Sequence, residues 1–287
     1  MLPNLLTVDL EEWFVVETLA DRFSPQDWMD LPSTLERNCN RLLRLFARHD
    51  VRATWFVVGW CAERYPALMY RIAERGHEIA CHSFGHRMVD RLSPDEFRLD
   101  TRRAINAIME STGVRPLGYR APSWSLSEKV PWAFEILADL GFEYDSSIFP
   151  IKHDVYGMPD GPRQPFRMTF DQSRFLYELP ATTVRRWGRN IPIGGGGYLR
   201  HSPYWYSRRM IRRVNRGGQP VMVYMHPWEI DPEPPPVTGL SLTQRFRTYG
   251  STATFEQKLD RLLSEFQFIP VIDYVRSITR HRIGFER

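Results

Sequence analysis

Ala53-Thr54-Trp55-Phe56-Val57-Val58, followed through Gly76 by His77-Glu78-Ile79-Ala80-Cys81, is the stretch whose reading decides the fold. The first run is continuously apolar, β-branched or aromatic, as in a strand covered on both faces. The segment from Cys61 to Arg75 reads as a helix ended by Gly76, and the second run as the next strand. The alternation extends in both directions. Upstream, the apolar run Leu5-Leu6-Thr7-Val8 ends in Asp9-Leu10-Glu11-Glu12-Trp13. Ser33-Thr34-Leu35-Glu36 then opens a helix with a cap-like serine and a glutamate three residues on, its apolar stripe running through Leu35, Leu42, Leu43 and Phe46. Downstream, Pro94 to Ser111 is a helix striped by Phe97, Ile105 and Ile108. Gly118 to Pro122 is a short strand ending in a turn, Ser127 to Leu140 a helix closed by Gly141, and Phe142 to Asp145 another strand. Repeated βα units imply a parallel sheet, and this many favour a barrel over an open doubly wound sheet.

Beyond Asp145 the pattern loosens. Pro150 to Pro203 is rich in proline and glycine and reads as a functional loop insertion holding short strands such as Phe175 to Leu179. The run Gly194-Gly195-Gly196-Gly197 could cradle a phosphate, but lacks the following Lys-Ser/Thr, so a hinge or a close backbone approach is the better reading. Tyr204 to Asn215 is a helix whose arginines 208, 209, 212 and 213 form a solvated face. Val221 to Met225 is a strand ending at His226, Asp231 to Val237 a proline-rich loop, Thr254 to Phe266 a helix and Phe268 to Val275 a final strand. There is no internal repeat, and a single domain spans residues 1–287.

At 287 residues and 43% hydrophobic, the chain can bury a large core, which excludes a disordered protein. Its net charge of +4 comes almost wholly from arginine, since lysine occurs only at 129, 152 and 258. No basic stripe interleaved with aromatics accompanies that charge, so no nucleic-acid partner is expected. Three cysteines with no C-x-x-C pair argue against a disulfide framework and a thiolate zinc site. A strand begins within a few residues of Met1 and no run reaches membrane-spanning length, so the expectation is a cytoplasmic protein without a transmembrane segment.

The chemistry gathers where strands end. His82 and His86 stand four residues apart, a spacing that puts both rings on one face of a helical turn, where they can share a divalent metal. With eight histidines, chance gives such a pair in roughly one chain in five, so a third ligand is required. The carboxylates after Val8 are the best source. In parallel barrels reactive residues sit at the C-terminal strand ends. The polar residues ending strands here are Asp9 with Glu11, His82 with His86, Arg120, Asp145 and His226, and together they are the parts of a metal-assisted amide or ester hydrolase.

Asp9-Leu10-Glu11, His82-Ser83-Phe84-Gly85-His86, Arg120-Ala121-Pro122-Ser123-Trp124 and Met225-His226 resemble four motifs of the NodB-homology polysaccharide deacetylases, carbohydrate esterase family 4. The segments Tyr144-Asp145-Ser146-Ser147, Gly195-Gly196-Gly197-Tyr198 and His226-Pro227-Trp228-Glu229 are similar to the branch associated with exosortase/PEP-CTERM exopolysaccharide clusters. The resemblance implies a distorted, usually seven-stranded (β/α) barrel that removes N-acetyl groups from an N-acetylhexosamine-containing polysaccharide or its precursor. It implies zinc, or cobalt, nickel or manganese, held by His82 and His86, with Asp9 as general base. The family's usual second aspartate is replaced by Leu10, which leaves Glu11, or Glu12 in its stead, as the carboxylate ligand.

The remaining roles follow from chemistry. Arg120 keeps Asp9 ionised by its charge, and protonated His226 delivers a proton to the departing amine. The backbone N–H of Ser123 is placed to help hold an oxyanion. Asp145 pairs with Arg120 or with His226. Trp124, Tyr198 and Trp228 are candidate sugar platforms, with core packing as the simpler reading for each, as for Trp205. Two other functions compete: hydrolysis of a small cyclic amide, as in allantoinase-like relatives, and non-catalytic carbohydrate binding.

Overall fold

The computed structural model describes residues 2–153 and 156–283. Its main sheet is built from β1 (Asn4–Leu10), β2 (Thr54–Val57), β3 (Glu78–Cys81), β4 (Gly118–Tyr119), β5 (Tyr144–Asp145), β6 (Phe166–Thr169) and β7 (Phe175–Glu178). Then come a separate hairpin of β8 (Thr183–Arg186) and β9 (Arg189–Pro192), and finally β10 (Met222–Met225) and β11 (Phe268–Ile269). The order is β10-β1-β2-β3-β4-β5-β7-β6, parallel from β10 through β7, with β6 antiparallel at one edge and β11 pairing β1. The seven parallel strands expected are therefore present, curled into a half-barrel whose two edge strands do not meet.

Around the sheet lie α1 (Leu35–Arg48), α2 (Gly59–Arg64), α3 (Pro66–Glu74), α4 (Pro94–Thr112), α5 (Trp132–Asp139), α6 (Gly196–His201), α7 (Tyr204–Arg216), α8 (Leu242–Tyr249), α9 (Thr252–Glu265) and α10 (Val271–Ile283). Strand periodicity sorts β1 between the two faces. Leu6, Val8 and Leu10 join Trp55, Val57 and Ile79 in the core beneath the helices, while Leu5 packs with Phe56, Ala80, Tyr144 and Met222 on the other face. Thr7 and Asp9 share that second face, so it turns from apolar to polar toward the strand ends. Its apolar part is covered by Val271, Ile272 and Val275 of α10.

Several local expectations are corrected. The run Phe268 to Val275 is strand only over Phe268–Ile269; after Pro270 its apolar residues recur at helical spacing and pack as α10. Ser33 does not cap α1 in the expected way, because its hydroxyl donates to the Glu12 carboxylate. The helix from Cys61 to Arg75 is two helices, interrupted where Tyr65 precedes Pro66. The helix expected over Ser127 to Leu140 is shorter, starting at Trp132 after Pro131. The Pro150 to Pro203 segment is no simple loop, since β7 within it extends the parallel sheet. Helix α8 was not anticipated, although Ser241 and Gln244 form a capping box.

The glycine run is a close approach and not a phosphate cradle. Gly195 bridges Tyr224 of β10, and a Cβ there would lie 2.2 Å from the Tyr224 carbonyl oxygen. At Gly194 the corresponding distance to the Met222 carbonyl is 2.1 Å. Any side chain at either position would push the segment off β10. The three cysteines are buried and unpaired.

Candidate active site

Glu11, His82 and His86 converge beyond the C-terminal ends of β1 and β3, with one ligand atom from each lying within 4.8 Å of the others. Glu11 Oε2 is 2.7 Å from His86 Nε2 and 3.8 Å from His82 Nε2. The histidines do not lie on a helical turn as the spacing suggested. They bracket an irregular loop in which Ser83 and His86 adopt left-handed φ values of 62° and 52°. Asp100 of α4 fixes that loop by accepting from the backbone N–H groups of Phe84 (2.7 Å) and Gly85 (3.2 Å), and the Ser83 hydroxyl accepts from His86 N. These contacts over-determine a conformation that non-glycine residues otherwise avoid.

The protonation states suit a metal. His82 Nδ1 lies 2.7 Å from the Arg120 carbonyl oxygen, so it carries the proton and leaves the Nε2 lone pair facing Glu11. Burial holds His82 down to about 4, keeping the ring neutral. For Glu11 burial acts upward, but the charges of His86 and His226 outweigh it and bring the carboxyl to about 2. Two imidazoles and one carboxylate are a donor set for a first-row divalent ion, and the residues fit that group. Glu12 is not among the residues whose ligand atoms converge here; its Oε1 accepts from the Ser33 hydroxyl and from the Tyr65 hydroxyl at 3.0 Å.

Asp9 flanks the cluster. Its Oδ1 receives Arg120 Nη1 at 2.5 Å, and Arg120 is fully buried. The guanidinium also donates to Thr7 Oγ1 at 3.0 Å, to Ser146 Oγ at 3.1 Å and to the Ser146 carbonyl at 3.2 Å, and stacks 4.0 Å from the Phe56 ring centroid. The other Asp9 oxygen, Oδ2, faces His226 Nε2 at 3.9 Å, and the same nitrogen is 3.7 Å from Glu11 Oε1.

His226 is held from behind. Its Nδ1 is 3.0 Å from Glu229 Oε2, which also accepts from the His226 backbone N–H. Glu229 is completely buried, and its Oε1 accepts from Arg200 Nε at 3.0 Å. Arg200 in turn donates to the carbonyl of Gly250 at 2.6 Å and to those of Thr248 and Arg247 at the end of α8. Burial pulls His226 down, but Glu11, Glu229 and Asp9 prevail and raise it to about 9. These carboxylates favour the protonated ring.

Asp145 is not among these residues. Its carboxylate accepts from Ser147 Oγ at 2.6 Å and pairs with the buried Glu178 carboxyl, not with Arg120 or His226. Ser147 Oγ accepts from Ala121 N at 2.8 Å, so Asp145 braces the Arg120-Ala121-Pro122 turn from below. In that turn Ser123 and Trp124 both take positive φ, 52° and 54°. Trp124 is 6% exposed and packs on Phe149 and Tyr224, as core packing predicts. Tyr198 is 38% exposed beside Phe149, and half-buried Trp228 stacks on His226 at 5.1 Å. Trp205 is 66% exposed and does not belong to the site.

Sequence reasoning missed Glu229, Arg200 and Asp100. Glu229 had a signal, a carboxylate three residues after a strand-ending histidine. Arg200 and Asp100 had none, because their partners are backbone groups and side chains remote in sequence.

Residues 28–144 match the family described as polysaccharide deacetylase, and residues 146–276 match a domain of unknown function, DUF3473. The peptidoglycan deacetylase of Helicobacter pylori is 32% identical over 108 residues, 38% of this chain and 36% of that protein. The chain thus spans about a third of the length of the curated relatives it matches. Among solved structures, a candidate polysaccharide deacetylase from Mycobacterium smegmatis superposes with a TM-score of 0.61 at 20% identity, covering 97% of this chain and 92% of that one. PuuE allantoinase superposes with a TM-score of 0.60 at 16% identity, covering 95% of this chain and 88% of that one. At such identities these likenesses show the fold. Both matched segments contribute strands to one continuous sheet, and the chain joins a polysaccharide deacetylase domain of the NodB-homology, carbohydrate esterase family 4 type to DUF3473, the combination of the PEP-CTERM-associated branch.

Proposed function

We propose that this protein is a metal-dependent deacetylase of an N-acetylated sugar polymer or its precursor, with Asp9 as base and His226 as acid. One observation carries the reading: a metal-competent cluster of Glu11, His82 and His86 is flanked by a carboxylate and a protonated imidazole 3.9 Å apart. A bound divalent ion, with zinc the first choice, would supply Lewis acidity to the acetamide carbonyl and to the attacking water. Asp9, anchored through Oδ1 by Arg120, has Oδ2 free to take the proton of that water. His226 Nε2 points into the same space and can give its proton to the leaving amine, without which the addition reverses. Glu229 fixes the ring through Nδ1, leaving Nε2 as the only nitrogen available for transfer. Ser123, on a left-handed turn beside Arg120, offers its backbone N–H to the developing oxyanion. Tyr198 and Trp228 supply aromatic faces near the site for a pyranose ring.

The test is acetate release from oligomers of N-acetylglucosamine, with metal-stripped protein as control. Asp9→Asn is expected to keep its metal and lose roughly a hundredfold or more in rate; near-normal turnover would assign the base elsewhere. The likeness to an allantoinase fold supports a second reading, ring opening of a small cyclic amide. Turnover of allantoin with no acetate released from any oligosaccharide would select it.

A further inference from the structure

The hairpin of β8 and β9 has no part in the chemistry above, and its composition is unusual. Its exposed tip reads Arg185-Arg186-Trp187-Gly188-Arg189, all five residues open to solvent, with Trp187 79% exposed. Arg186 lies over the indole, its guanidinium carbon 3.9 Å from the ring centroid. Among the described residues, no carboxylate pairs with Arg185, Arg186 or Arg189, and the sequence contains no aspartate or glutamate between Glu178 and Glu229. Arg163 binds the hairpin base through Thr183 and sits close enough to Arg185 for the two charges to repel. The fold therefore concentrates positive charge here and does not neutralise it.

The turn makes the tryptophan costly. Trp187 and Gly188 form a two-residue connection with φ values of 50° and 72°. Both positive, they are the signature of a type I′ turn, whose first position favours asparagine, aspartate or glycine. A tryptophan there is conformationally disfavoured and covers no core. The two strands pair only with each other among the described residues, with Thr183 and Val184 buried at the base and the tip in solvent. Its base follows Ala181, which packs with Trp124, Phe149 and Tyr224 beside the site.

We propose that this hairpin docks the protein on an anionic lipid surface, Trp187 entering the headgroup layer and Arg185, Arg186 and Arg189 pairing with lipid phosphates. An amphipathic indole at an exposed tip, ringed by unpaired cations, matches the interfacial region of a bilayer in both polarity and charge. A neutral sugar would instead call for amide and carboxylate hydrogen-bonding groups around a platform, which this tip lacks. Docking there would bring the domain to the membrane, where a polymer being assembled on a lipid carrier is met. The inference does not depend on the deacetylase reading, and its primary readout, vesicle binding, needs no turnover.

Full-length protein is spun with vesicles of phosphatidylcholine alone and of phosphatidylcholine mixed with phosphatidylglycerol. Co-sedimentation is expected with the anionic vesicles only, and to fall as salt is raised. Asparagine is favoured at this turn position, so Trp187→Asn should fold at least as well as the wild type while lowering partitioning about tenfold. The triple change R185Q/R186Q/R189Q should lower it about a hundredfold, at roughly fivefold for each arginine. Acetate release from a soluble oligosaccharide should be unchanged in both variants. No co-sedimentation of the wild type overturns the proposal, as does binding equal to wild type in both variants. A raised KM on a soluble acidic oligosaccharide, with lipid binding intact, would assign the tip to a polysaccharide and overturn it as well.

Discussion

Replacing Arg120 by methionine, with and without Asp9→Asn, tests whether these two residues are one unit. The guanidinium is completely buried and the Asp9 side chain is 4% exposed, so neither charge has access to bulk water. Arg120→Met strands a buried carboxylate and removes the donor to Thr7 and Ser146, which should cost about 4 kcal/mol. In a chain of this size that corresponds to a fall in Tm of about 10 °C. Asp9→Asn keeps an amide oxygen for the guanidinium and should cost about 2 kcal/mol, the worth of a hydrogen bond to a charged group. If the sites were independent the double variant would lose about 6 kcal/mol. With both charges gone, the desolvation penalty that dominates the arginine variant also goes, and we expect a loss of about 3 kcal/mol, a coupling of about 3 kcal/mol. Urea unfolding of the four metal-free proteins measures the cycle. Additivity within about 0.5 kcal/mol would refute the account, and so would an arginine variant as stable as the wild type.

Three further expectations concern the site and its surroundings. His82→Ala and His86→Ala should each abolish metal content measured by elemental analysis; full occupancy in both would remove these histidines from the ligand set. Glu229→Gln should leave metal content intact but lower kcat about ten- to a hundredfold, because His226 loses both the charge behind Nδ1 and its fixed orientation; an unchanged kcat would make Glu229 a structural residue only. Buried His77 and His82 should each contribute a fall in stability on acidification from pH 6.5 toward 4, because burial holds them at about 4 against an ordinary 6.5 and the unfolded chain takes up protons that the native state refuses. Buried carboxyls raised by desolvation, Glu78 and Glu178 among them, act the other way, so the histidine slope is read as a difference between variants. His77 Nδ1 accepts from Ala53 N, which an asparagine oxygen can imitate, so His77→Asn should flatten roughly half of that slope without changing stability at neutral pH; an unaltered slope would show that His77 is protonated in the fold.

What the sequence made legible is what periodicity and residue chemistry encode locally. Runs such as Ala53 to Val58 are apolar throughout because helices and the inner layer cover both faces, and that identified the parallel sheet. The site was legible because strand ends carry it, and Asp9, Glu11, His82, His86, Arg120 and His226 do stand together. The spacing of His82 and His86 identified the pair through the wrong local geometry: a helical turn and a loop held by Asp100 both bring residues four apart into reach. Asp145 was misassigned because a strand-ending carboxylate can face a neighbouring carboxyl as readily as an open cleft, and only the register with Glu178 on β7 decides. Val271, Ile272 and Val275 were read as strand because β-branched runs are ambiguous when short, and the half-barrel's need for a plug is a tertiary fact. Arg200 could not be found at all, since its partners are the Glu229 carboxylate and carbonyls of residues 247, 248 and 250, all remote in sequence.

The position of β1 has a bearing on how the chain is made. β1 is flanked by β2 on one side and by β10 on the other, and Leu5 meets Met222 in register. Until more than two hundred further residues have emerged, one edge of β1 offers its unpaired amides and carbonyls to any passing chain, a circumstance that favours slow maturation and calls for protection during synthesis. His226 arrives at the end of that same late strand, so on the proposed mechanism Glu11, His82 and His86 can gather well before the acid is in place.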